Sequence, residues 1–125
     1  MIKKFIFFVI ICLFTCSLSS QKFVPDIGLK TLNGESIKSI QAINQDGFTI
    51  ISFWATWCIP CINELDAINE VITDWNKKED ITVLAISTDD SRSKKRVRPL
   101  INGKEWIFDV ISDTNQEFKR AVGVV

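Results

Sequence analysis

The chain has 125 residues, with 15 lysines and arginines against 15 aspartates and glutamates, and no histidine. Balanced charge argues against a nucleic-acid binder. Lack of histidine excludes Cys-His and Ser-His-Asp catalysis, histidine metal ligation and imidazole general bases.

The first element in chain order is a leader. Met1 to Lys4 carries two positive charges, Phe5 to Phe14 is apolar throughout, and Thr15 to Ser20 is small and polar. That order is the n-region, h-region and cleavage zone of a secretory signal peptide over residues 1–19, with Ser17 and Ser19 as the small residues before the cut. The ten-residue apolar run falls short of the ~20 residues a membrane-spanning helix needs. A retained anchor and a lipid anchor are the alternatives. Leu13-Phe14-Thr15-Cys16 follows a lipobox only loosely, since Phe14 and Thr15 suit it poorly, and lipidation at Cys16 ranks behind plain secretion. Either route puts the mature protein outside the cytosol, in a periplasm or cell envelope. Removing Lys3 and Lys4 leaves 13 basic against 15 acidic residues. Residues 20–125 then suit one small domain with its own core.

Within that domain, Asn33-Gly34 between Leu32 and Ile37 predicts a hairpin, and Asp46-Gly47 a further turn. Phe48–Trp54 is nearly continuous apolar and β-branched, as a strand buried on both faces should be. Ile62, Leu65, Ile68, Ile72 and Trp75 then recur at three- and four-residue steps, predicting an amphipathic helix to about Asn76. Ile81–Ser87 reads as a second buried strand, parallel to the first across the helix. Asp89-Asp90-Ser91 is expected to cap a second helix through about Ile101, which Pro99 can break early. Trp106–Ile111 reads as a third strand. Asp113 and Gln116 form a capping arrangement for a short helix to Ala121.

Four cysteines are present, but Cys12 and Cys16 fall in the leader, so the mature chain keeps Cys58 and Cys61. Cys58 sits where strand gives way to helix. The unpaired first-turn N–H groups and the helix dipole there favour a thiolate. Pro60 costs little in a first turn. Cys61 lies on the same helix face, within reach of Cys58. Cys58 is therefore the expected nucleophile toward a substrate disulfide, and Cys61 the resolving thiol. Ile59 brings no charge and Glu64 opposes a nearby thiolate, so the thiol should be only moderately acidic, which leans toward a reductase. A zinc site needs two more ligands, leaving only one shared across a dimer, and no metal is expected. A purely structural disulfide over so short a loop removes little chain entropy. A redox-active disulfide is the preferred reading of the pair.

The segment "FWATWCIPCINEL", Phe53 to Leu65, resembles the active site of extracytoplasmic thioredoxin-like thiol–disulfide oxidoreductases, the TlpA/ResA group. "VPDIGLKTLNGESI" resembles that group's N-terminal hairpin, "ITVLAISTDD" its next strand and "FDVISDTNQEFKRAVGV" the segment before its proline loop. The resemblance implies a thioredoxin-like α/β fold with a central mixed sheet, flanking helices and an N-terminal hairpin. It implies catalysis by Cys58 and Cys61, shielding by Trp57 beside Trp54 and Pro60, and proton handling by Glu64, which matches the group's CxxCxxE pattern. No bound cofactor is implied, and the domain is expected to be a monomer. Protein thiols and disulfides would be its substrates and a membrane redox protein its electron donor. Apocytochrome c maturation and envelope thiol maintenance are the duties implied.

Two departures stand out. Asp66 replaces a proline that kinks the group's helix. The group's cis-proline is expected about three residues past Val125, followed by a last hairpin and helix, so the chain reads as C-terminally truncated. A peroxiredoxin-type peroxidase is an alternative, but Thr56 lies two residues before Cys58 and Ser52 stands in place of the proline in its Pro-x-x-x-Thr-x-x-Cys pattern. An inactive fragment that only binds partners is another. The basic run Arg92–Arg98 reads as a solvated helix face.

Overall fold

The computed structural model describes residues 23–124. The expected leader, residues 1–19 with Cys16, lies outside them. Five strands form one mixed sheet in the order β2-β1-β5-β4-β3. These are β1 (Gly28–Thr31), β2 (Ser36–Lys38), β3 (Phe48–Trp54), β4 (Ile81–Ser87) and β5 (Asp109–Ser112). β3, β4 and β5 run parallel, while β1 is antiparallel to both β5 and β2. Helix α1 (Ser39–Ala42) follows β2, α2 (Ile59–Trp75) links β3 to β4, α3 (Val97–Asn102) precedes β5, and α4 (Glu117–Ala121) follows it.

The hairpin expected at Asn33-Gly34 joins β1 to β2. Gly34 takes a φ of +87°, a conformation glycine adopts without a Cβ penalty. Gly47 is needed for a different reason. A Cβ there would strike the Asp80 carbonyl and the Asn44 side chain, where the turn leading into β3 crosses the start of β4.

Side chains alternate across the sheet, and each face has its own core. On one face Leu29, Leu84, Ile86, Ile111 and Phe118 pack together, with Val24, Ile27 and Ile37 around them. On the other, Trp54, Ile62, Leu65, Ala85 and Val97 form the α2 side, joined by Trp106 and Phe108. The predicted face of α2 delivers Ile62, Leu65 and Ile72 to the interior. Trp75, at the end of that stripe, is 39% exposed. α2 runs unbroken through Asp66. That side chain accepts hydrogen bonds from the Trp106 indole at 2.8 Å and the Lys104 ammonium at 2.5 Å. Trp106 is thereby held edge-on to Trp54, with ring centroids 5.2 Å apart.

Three expectations need correction. β3 is an edge strand, and most of its residues are half-buried. The Phe48 N–H bonds Asp80 and the Trp54 carbonyl receives the Thr88 N–H, so alternate residues from 48 to 54 face β4. Thr49, Ile51 and Phe53 therefore turn their backbone groups to the open edge. The helix expected from Asp89 begins later, as a 3₁₀ turn at Lys94–Arg96 leading into α3. Asp90 holds that loop instead, accepting the Arg92 and Ser93 N–H groups. The third strand is Asp109–Ser112, because Trp106 and Phe108 stack on each other beside Trp54.

The α4 cap also differs from its expected form. Gln116 sits at the N-cap with a φ of +55° and no side-chain cap bond. Asp113, only 4% exposed, instead reaches the N–H groups of Phe118 and Lys119.

Leu65 is fully buried, so Leu65→Ala should cost about 2–5 kcal/mol in chemical denaturation. Hydrogen bonding from Lys104 first, and then from Trp106, outweighs burial and holds the Asp66 carboxyl below its ordinary value. Its stabilisation is present in full above the ordinary carboxylate value and is lost as pH falls through the lower folded-state value. Asp66→Asn should therefore be less stable at neutral pH, and the difference from the parent should shrink in acid melts followed by tryptophan fluorescence.

Candidate functional site

β3 ends at Trp54, and the chain turns through Ala55, Thr56 and Trp57 into α2. The Cys58 N–H closes this turn on the Ala55 carbonyl at 3.0 Å. Cys58 is the N-cap of α2, with φ −93° and ψ 85°, and Pro60 lies in the first turn. Its carbonyl accepts the first helical bond, from Ile62 at 3.1 Å. Its side chain caps nothing and is committed to sulfur instead. Cys58 and Cys61 form a disulfide with Cα atoms 5.3 Å apart. Pro60 has no N–H, so within the first turn Ile59 and Cys61 carry the unpaired donors that favour negative charge at Cys58.

Both cysteines are half-buried. Cys61 packs against the cluster that contains Trp54, Ile62 and Leu65. The expected site residues separate into two kinds. Trp57, 69% exposed, stands beside the disulfide on the surface, as do Ile59 and Pro60. Trp54, 1% exposed, lies beneath it, and its indole N–H has no partner among the described residues. Glu64 is exposed one turn beyond Cys61 and makes no hydrogen bond or ion pair among the described residues. It borders a groove of about 820 Å³ along the open edge of β3, with Ile51, Phe53 and Val122.

A smaller hollow of about 320 Å³ adjoins Trp57, lined also by Thr88, Asp90, Arg92, Arg96 and Gln116. The basic run thus reaches the rim of the site at Arg92 and Arg96. The Ser93 N–H, followed by the Arg92 guanidinium, holds the Asp90 carboxyl down to about 2.

Behind the turn, Thr88 and Asp89 take roles other than the helix cap expected from Asp89. Thr88 donates both its N–H and its hydroxyl to the Trp54 carbonyl, at 2.8 and 3.1 Å. Asp89, 1% exposed, accepts the Thr56 N–H at 2.9 Å and the Thr56 hydroxyl at 2.6 Å. The signal was the run of short polar residues ending an apolar strand in "ITVLAISTDD", which also suits a helix cap.

This sheet with flanking helices, and a CxxC disulfide at the start of α2, defines a thioredoxin-like fold. A family model described as "AhpC/TSA family" matches residues 21–125, and the chain belongs to that family. It is 32% identical over 90 residues to the thioredoxin-like protein YneN of Bacillus subtilis, covering 71% of this chain and 51% of that protein. It is 30% identical over 97 residues to the thiol-disulfide oxidoreductase ResA of Oceanobacillus iheyensis, covering 76% and 49%. The chain thus spans about half the length of these curated relatives. Among solved structures, an uncharacterized thioredoxin-like protein from Porphyromonas gingivalis superposes with a TM-score of 0.67 at 37% identity, over 80% of this chain and 65% of that one.

Packing of Cys61 against the core and the capping position of Cys58 are expected to make the two thiols unequal in reactivity once reduced. Limiting iodoacetamide should modify Cys58 about ten-fold faster than Cys61, as read by peptide mass mapping.

Proposed function

We propose that this chain is a thiol–disulfide oxidoreductase domain that reduces disulfides in partner proteins outside the cytosol. The observation that carries the reading is the disulfide between the N-cap residue of α2 and the residue three positions on. Relatives named as thiol-disulfide oxidoreductases support it.

In the reduced protein, Cys58 loses its proton and its sulfur attacks one sulfur of a partner disulfide. The partner's S–S bond breaks, a mixed disulfide forms, and the leaving sulfur departs as a thiolate that takes up a proton. Cys61, deprotonated in turn, attacks the Cys58 sulfur and releases the second partner thiol. Two electrons have then passed to the partner, and the Cys58–Cys61 bond is restored.

Trp57 flanks the sulfur under attack. Glu64, opening to the groove one turn from Cys61, passes the proton through water. Direction follows from modest activation: a helix N-terminus helps the thiolate, while Ile59 and Pro60 add no charge or side-chain donor. No bound cofactor takes part, and the domain works as a monomer. A membrane redox protein re-reduces the pair, in the service of cytochrome c maturation or envelope thiol maintenance. The leader of residues 1–19 supplies export.

Equilibration in glutathione and dithiothreitol buffers, read by alkylation and tryptophan fluorescence, tests the direction. One reversible two-electron step near about −270 mV is expected, whereas a step near about −120 mV would make the domain an oxidant. Cys61→Ser should accumulate a mixed disulfide with a partner protein and Cys58→Ser should not. Glu64→Gln should slow turnover several-fold with an unchanged melting temperature. A peroxiredoxin-type activity predicts hydrogen peroxide consumption by the purified chain, and none is expected.

A further inference from the structure

Asp89 combines features that the reaction just described does not use. It is a carboxylate at 1% exposure, just beyond the end of β4. Among the described residues it has no lysine or arginine partner; ion pairs form at Asp26, Asp66, Asp74 and Asp90. All its side-chain bonds come from neutral donors. Oδ2 accepts the Thr56 N–H and the Ser87 hydroxyl, each at 2.9 Å, and Oδ1 accepts the Thr56 hydroxyl at 2.6 Å. The Thr56 N–H can only donate, so Oδ2 is an obligate acceptor. The Ser87 hydroxyl also receives the Asp89 N–H at 3.2 Å, which orients the carboxyl from its own backbone.

Thr56 is the second residue of the turn Ala55–Cys58, the turn that sets Cys58 at the head of α2. One side chain from the loop after β4 therefore holds the turn by both the backbone and the hydroxyl of Thr56. A buried charge facing only neutral dipoles is costly, and its field extends further than that of a solvated charge. Asp113, the other buried aspartate, spends its oxygens on the N–H groups of α4, while its own N–H bonds the Ser87 carbonyl, and its charge is common to the parent and every variant.

We propose that Asp89 is a positioning residue for the Cys58–Cys61 couple: its carboxylate fixes the turn that presents Cys58, and its unpaired charge biases the couple toward the disulfide. The inference rests on the thiol–disulfide reading above. The couple interconverts by adding two electrons and two protons to the S–S bond, giving two thiols. At neutral pH the reduced form gains further stability whenever Cys58 releases its proton. A negative charge held behind the turn opposes that release and disfavours the reduced form, so the pair gives up its electrons more readily. Other charged groups around the turn are Glu64 on α2 and Asp90, Arg92 and Arg96 on the loop after β4. All are common to the parent and the variants.

The test compares the parent chain with Asp89→Asn, Thr56→Val and Thr56→Ser. Each is read by the pH dependence of Cys58 alkylation and by equilibrium with glutathione. Asp89→Asn keeps the shape and removes the charge. Its alkylation midpoint should fall by about half a unit or more, roughly three-fold in the thiolate-to-thiol ratio, and its reduced form should gain at equilibrium. Thr56→Val keeps the charge but loses the hydroxyl, so exchange with glutathione should slow several-fold with no fall in the midpoint. Thr56→Ser should restore the parent rate.

A folded Asp89→Asn protein with the parent midpoint and equilibrium overturns the proposal, as do equal midpoint shifts in Asp89→Asn and Thr56→Val. If Asp89→Asn does not unfold cooperatively, the threonine pair decides: slowing in valine with rescue by serine upholds the clamp, and parent rates in both overturn it. The glutathione couple can be read even if reduction of a protein disulfide such as insulin fails, so failure of the function reading remains distinguishable.

Discussion

Seven parallel pairs between β3 and β4, from Phe48 with Ile81 to Trp54 with Ser87, set everything else in the site. In this register the residues just past β4 arrive beside the residues just past β3. Thr88 then meets the Trp54 carbonyl and Asp89 meets Thr56. A slip of one residue would turn Leu84 and Ile86 away from their core and leave these polar groups without partners. Apolar alternation in the sheet thus fixes polar geometry at its end, because the two are one ladder read at different heights.

Two kinds of group surround the reactive turn, and they act on different scales. Trp57, Ile59 and Pro60 form a largely apolar surface, with the charges of Asp90, Arg92 and Arg96 at its rim. Beneath the turn lie Trp54, Cys61 and Leu65, packed as a core. The exposed side chains can change without disturbing what holds the sulfur atoms. The core tolerates little change, since interiors are packed to the density of organic crystals. Trp106 shows how closely that core is tied together: it packs edge-on to Trp54 and is itself held by Asp66, from the middle of α2.

Much of this was legible in the chain. The strand Phe48–Trp54, the stripe of Ile62, Leu65 and Ile72, and the pair at the head of α2 all follow from periodicity and from where a strand gives way to a helix. What was not legible depended on competition between local and distant partners. "STDD" reads as a helix cap because short acidic side chains do cap helices. One of its two aspartates instead finds a residue 33 positions earlier, while the other builds the local turn. "WIFDVI" has strand composition throughout, yet its aromatic residues are worth more stacked beside Trp54 than laid in the sheet. The edge position of β3 could not be read from its own residues, which are apolar enough for a central strand. A strand's place in a sheet is settled by the other strands.

The disulfide spans only four residues, from Cys58 to Cys61. Closing so small a ring excludes few conformations of an unfolded chain. It also ties together no two parts of the sheet. Loop closure by itself therefore adds little to stability, and the bond can close before, during or after the strands come together without steering them. A bond between distant elements would record the folding history and resist being opened. This one joins neighbours within a single turn, so no strand pairing depends on it.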